Sequence, residues 1–375
     1  MKRRYDYDVL RVLSMLGVVY LHTAAGALRS LDYVSLWNFS NVLVAFATPA
    51  VPLFFMMSGS LLLSEEKTAD LSQLFRRRIP KVLVPLLCWS ALTLLYSVVR
   101  GNAAGALEKA LRLLNTPVSV PYWFLYALIP MYLLSPVLKK MTDNLSQSHW
   151  TYMMGLWVIL TLGLYTVRSF VPAAWELTFT EHWTLNLNMV GGYLGYFLLG
   201  AYLERIQRIP PKKVLIGVIA VMIAVSVLGT RWDTYAHMMY SDRFTNYLTL
   251  FTMILSSAMF LLAKSCLRGK EEKGKLLPML AGVSFSVYLL HPLAIGAGEK
   301  LWTQFLGTLG PGNIGQQIFF YLAVTLFCIL ASVILSSIPG ICYAFTGQTF
   351  SAACKSSNLF ALFSRKKSNQ KRAEP

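Results

Sequence analysis

Ten apolar runs of about 20 residues punctuate this chain, and a helix of that length is what crosses the hydrocarbon of a bilayer. They fall at residues 8–28, 40–63, 79–99, 122–138, 150–167, 187–203, 214–230, 245–263, 277–297 and 317–345. The second run contains Pro49 and Pro52, so a kink or a local break is expected there. Composition excludes a soluble alternative. Only 14% of the residues are charged and 55% are hydrophobic, whereas a soluble domain carries about 25% charged residues. The expected fold is all-α: a polytopic membrane protein of about ten helices spanning residues 1–345.

Basic residues outnumber acidic ones 34 to 17. In a soluble protein that excess would suggest nucleic acid. Here its distribution points to topology. With the N-terminus inside, 25 of the 34 fall on cytoplasmic segments and 8 on outer ones, with Arg11 inside the first run. Such a bias sets orientation in membrane proteins. It predicts both termini in the cytoplasm and needs no nucleic-acid partner.

No cleavable signal peptide is expected, because the first run is too long and lacks a small-residue cleavage site. The five cysteines show neither metal-ligand spacing nor a disulfide pattern. Residues 103–114 (AAGALEKALRLL) form an amphipathic stretch suited to the outer interface. Residues 346–375, ending SRKKSNQKRAEP, are expected to be a disordered basic tail beside the anionic inner leaflet.

Ionisable side chains inside a span are costly and mark function. Arg11 and His22 in the first run and His291 in the ninth stand out. Eleven residues turn a helix about 20° past three full turns, so Arg11 and His22 share a face about 16 Å apart. Asp8 neighbours Arg11 on that surface. His291 lies at a depth similar to that of His22, so the two could line one cavity. A further cluster, FRRRIPKVLVP, puts Arg76, Arg77, Arg78 and Lys81 at the start of the third run. Arg78 and Lys81 are three apart and share a face. Cations so grouped either anchor the helix or bind phosphates. Trp37, Trp175, Trp183 and Trp232 at the outer ends suit interface anchoring, or stacking on sugars.

Taken in order, these segments resemble the membrane acyltransferase-3 family. YDYDVLRVLSMLGVVYLH carries the Arg-x10-His pattern on Arg11 and His22. AVPLFFMMSGSLLL resembles the second-helix signature, ending at Ser58–Gly59. The family's Arg-x-x-Arg reads Arg78-x-x-Lys81, which keeps the charge but not the bidentate geometry. YWFLYALIPMYLLSPVL, with Trp123, resembles the fourth segment, although Tyr122 stands where a His is frequent. GYLGYFLLGAYL resembles the sixth, and SFSVYLLHPL, with Tyr288 and His291, the ninth. Ser60 stands where an aromatic is frequent, and the chain has no room for a fused hydrolase-like domain.

The resemblance implies a bacterial inner-membrane O-acyltransferase of surface glycans, similar to the small stand-alone members of the enterobacterial-common-antigen type. Its implied donor is cytoplasmic acyl-CoA, acetyl-CoA by default, with no bound cofactor or metal. The acceptor is a hydroxyl of a glycan or lipid-linked sugar. Arg76, Arg77, Arg78 and Lys81, with Arg11, would hold the phosphates of the donor. His22 would act as general base or carry the acyl group, with Arg11 as the second catalytic residue. Asp8, Trp123, Tyr288 and His291 would line the cavity. The sequence also leaves open an exporter of a polar small molecule and a ligand-binding sensory module.

Overall fold

The computed structural model describes residues 3–172, 175, 191–270, 274–308 and 310–363. All regular structure among them is helical. The principal helices are α1 (Tyr5–Thr23), α2 (Val34–Ala47), α3 (Ala50–Ser64), α4 (Ile79–Val99), α5 (Trp123–Asn144) and α6 (Gln147–Phe170). They continue with α7 (Gly192–Arg205), α8 (Lys212–His237), α9 (Leu250–Leu267), α10 (Leu276–Leu306) and α11 (Ile314–Ser336). Three short helices follow: α12 (Pro339–Thr346), α13 (Phe350–Ser356) and α14 (Leu359–Phe363).

Eight helical rods among the described residues are long and apolar enough to cross a membrane. The protein is therefore a polytopic membrane protein, as its sequence predicts. The other two expected spans are α1 and α7. Within its 19 residues α1 holds Asp6, Asp8 and Arg11. Of the expected span 187–203, residues 187–190 lie outside the described set, and α7 covers 14 residues. The break in the second span falls at Thr48–Pro49, between α2 and α3. Pro52 sits in the first turn of α3, where a helix does not need the missing N–H.

Two glycines explain how α3 and α7 approach. A methyl group at Gly59 would overlap the Phe197 carbonyl, and one at Gly200 would overlap the Met56 carbonyl. The backbones therefore touch directly, in the manner of small-residue contacts between membrane helices. The C-terminal end of α7 is tied down by polar groups. Lys264 of α9 donates to the carbonyls of Leu203, Glu204 and Ile206 at 2.7–2.8 Å, satisfying the open C-terminus of α7. Half-buried Glu204 accepts from Arg4 at 2.7 Å and pairs with Arg268 at 2.9 Å.

The expected disordered tail is corrected for residues 346–363. Thr349 caps α13 by accepting from the Ala352 N–H. Asn358 is fully buried and donates to the Ser336 carbonyl. The segment orders because its small and apolar residues pack back onto the bundle; residues 364–375 lie outside the described set. Residues 103–111 do form a helix, with Leu107 and Leu111 exposed.

Candidate active site

A cavity of about 780 Å³ opens between α1, α3, α4, α5, α10 and the α12–α13 segment. Its cations are Arg3, Arg4, Arg11 and Lys81, against a single lining carboxylate, Asp8. Asp8 is buried. It accepts from Arg3 and lies 3.6 Å from Arg11, so it positions both guanidiniums. The Arg4 guanidinium is taken up by Asp6 and Glu204. Arg3, Arg11 and Lys81 therefore carry the positive field at this end, which suits an anionic ligand.

The opposite end of the cavity is aromatic. Phe54, Phe124 and Tyr288 are in mutual ring contact, with centroids 5.7–6.5 Å apart. Arg3 donates to the Pro278 carbonyl at 2.6 Å. From Pro278 to Tyr288 is ten residues of α10, or about 15 Å along its axis. The cavity is thus an elongated slot, cationic at one end and apolar at the other.

One turn beyond Tyr288 lies His291, whose ring centroid is 5.6 Å from that of Tyr288 and 5.2 Å from that of His22. The local cause is Pro292. Lacking an N–H, it cannot bond the Tyr288 carbonyl four residues back. His291 Nδ1 occupies that carbonyl instead, at 2.5 Å. A carbonyl only accepts, so Nδ1 carries the hydrogen and Nε2 presents a lone pair. That Nε2 is buried and has no partner among the described residues. The same device recurs in α5, where Ser135 bonds the Tyr132 carbonyl freed by Pro136. Tyr122 donates to the Leu289 carbonyl at 2.7 Å and Tyr288 to the Pro121 carbonyl, so both clamp α10 to the start of α5.

The predicted residues divide as follows. Arg11, Asp8, Lys81 and Tyr288 line the cavity. His22 and His291 meet each other just beyond it. Arg76 and Arg77 are exposed and outside the lining. Arg78 faces elsewhere: it bonds Thr68 at 2.6 Å and Glu65 at 2.9 Å. The π-helical turn Leu74–Arg78 precedes α4, so the α-helical spacing that put Arg78 on one face with Lys81 does not hold there. Trp123 also lies outside the lining. It stacks on Tyr247 and contacts Tyr193, with centroids 6.0 and 4.8 Å apart. Of the tryptophans, Trp37 is fully buried and donates to the Leu28 carbonyl, which removes it as a sugar platform. Trp175 and Trp232 are exposed, and Trp183 lies outside the described residues. Sequence reasoning missed Arg3, whose only signal was its closeness to the Asp8–Arg11 face.

A family model described as an acyltransferase domain, acyltransferase-3, matches residues 4–337. The chain belongs to that family and is a membrane acyltransferase. No curated protein and no solved structure matches it significantly.

If the cationic end binds donor phosphates, Lys81→Ala and Arg11→Ala should each raise the KM for acyl-CoA about 10- to 100-fold. That is the scale of a charge-assisted hydrogen bond, about 1.5–3 kcal/mol. Arg76→Ala should leave KM unchanged. Steady-state kinetics over a range of donor concentrations checks all three, and equal KM values across the set would remove the cavity from donor binding.

Proposed function

We propose that this acyltransferase moves an acetyl group from acetyl-CoA to a hydroxyl of a cell-surface glycan or lipid-linked saccharide. The observation that carries the reading is the slot itself. Three cations stand at one end, and at the other an aromatic throat stops one helical turn short of a histidine pair. A nucleotide thioester has the matching shape, with phosphates at one end, a long thin arm and a small acyl head. The basic end then faces the cytoplasm, in keeping with the distribution of lysine and arginine along the chain. Both termini are cytoplasmic in this reading, and the membrane is the bacterial inner membrane.

The acceptor hydroxyl gives its proton to His22 as its oxygen attacks the thioester carbonyl. The C–O bond forms, the C–S bond breaks, and the CoA sulfur leaves as thiolate and takes up a proton. The same imidazole can first accept the acyl group and pass it on. Both routes begin with a neutral ring. His22 makes no hydrogen bond to the described residues, which leaves its nitrogens available to the acceptor.

Inside-out vesicles supplied with radiolabelled acetyl-CoA test this. Label should pass to a saccharide-containing lipid or glycan, and mass spectrometry should show one added acetyl mass. Saccharide movement without acetylation would favour an exporter, and donor binding without either would favour a sensory module.

A further inference from the structure

Some of the residues that close the cavity beside Lys81 lie outside the segment the family model matches. That match ends at 337, yet Thr346, Gly347, Gln348, Ala352 and Ser356 line the slot. We propose that the α12–α13 segment is the specificity wall of the donor site, with Ala352 and Ser356 as its donor-facing residues. The inference rests on reading the slot as the donor site.

Contacts with α4 and α10 hold the wall in place. Pro85 leaves the Lys81 carbonyl without its helical N–H partner. Gly347, at a positive φ of 67°, lies directly against that carbonyl, where any Cβ would overlap it. The wall is therefore seated on the same residue whose side chain supplies a cavity cation. Gln348 bridges to α10: its Nε2 donates to the Gly282 carbonyl and its Oε1 accepts from Ser357 at 2.8 Å. A methyl group at Gly282 would overlap Ser357. Trp89 of α4 donates to the Phe345 carbonyl at 3.0 Å. A segment clamped to both α4 and α10 has a fixed height above the slot.

Its inner face is small. Ala352 and Ser356 are four residues apart and share one side of α13. Ala352 is exposed to the slot, while its neighbour Ala353 packs inward and is fully buried. Bulk added at 352 therefore enters the cavity and leaves the packing behind the helix untouched. The thin wall sets the clearance for the donor between α13 and Lys81.

Purified protein in nanodiscs is the material for the test, with tritiated acetyl-CoA as probe. Ala352→Leu should weaken binding several-fold and Ala352→Trp at least tenfold, with melting temperatures equal to wild type. In Ala352→Cys, maleimide labelling of residue 352, read by peptide mass spectrometry, should slow at least fivefold when CoA is added. Wild-type binding with Leu and Trp variants within twofold of it, and unprotected labelling, would overturn the wall. If the wild-type protein binds no acetyl-CoA at all, the donor reading of the slot fails, and the wall with it.

Discussion

Replacing His22 by Ala is expected to lower kcat for acyl transfer by about 10²–10⁴-fold, the usual contribution of a positioned base. The loss should appear in kcat with little change in the KM for acyl-CoA, because His22 lies outside the cationic slot. Protein levels and melting temperature should remain those of wild type. The ring is half-buried and makes no hydrogen bond to the described residues, so its removal breaks none and loses only the ring contact with His291. His291 predicts a different pattern. Its Nδ1 holds the carbonyl that Pro292 leaves open, so His291→Ala should lower both activity and melting temperature. An unpaired buried carbonyl costs about 1–3 kcal/mol. His291→Asn, which can still donate to that carbonyl, should recover stability more than turnover. A His22→Ala enzyme of normal kcat would end the assignment of His22 as base or acyl carrier.

The contrast between the two histidines also shows what was legible beforehand. Arg11 and His22 share a face because a regular helix repeats every 3.6 residues, and α1 runs unbroken from Tyr5 to Thr23. Depth in the membrane is likewise a matter of counting, so a common depth for His22 and His291 was legible, while their ring contact came from the packing of α1 on α10. The lock on His291 Nδ1 did not, although the His-Pro pair that causes it is plain in the chain. The cationic end was harder. Arg78 and Lys81 share a face only if the helix is regular, and the π turn before α4 breaks that condition. Glu65 then offers Arg78 a carboxylate that no periodicity argument includes. The α12–α13 wall was hidden for another reason. α12 fell within the apolar run read as the end of the tenth span, and α13 within the stretch read as tail; the order of both comes from contacts with Lys81 and Gly282 far away in sequence.

The largest effect on the fold should come from the α3–α7 crossing. Gly59→Ala is expected to destabilise the protein by several kcal/mol, above the usual 1–3 kcal/mol range for overpacking. The usual range assumes that a side chain can move aside. Here the added methyl meets the Phe197 carbonyl, so the two backbones themselves must part. Gly200→Ala meets the Met56 carbonyl from the other helix and should cost a similar amount. The double variant should lose less than the sum of the singles. Once one methyl has driven the helices apart, the second finds room, and residues sharing one contact are not additive. The separation should also reach the active site, because α3 supplies Phe54 and Ser58 to the slot. Protein that survives should therefore show a raised KM for acyl-CoA, restored by neither histidine nor lysine substitutions. Thermal melting in detergent, read by size-exclusion fluorescence, measures the single and double losses. A Gly59→Ala melting temperature within 1 °C or so of wild type would mean that the helices are not in backbone contact, since a 1 kcal/mol loss alone shifts Tm by about 2–4 °C for domains of 150–250 residues.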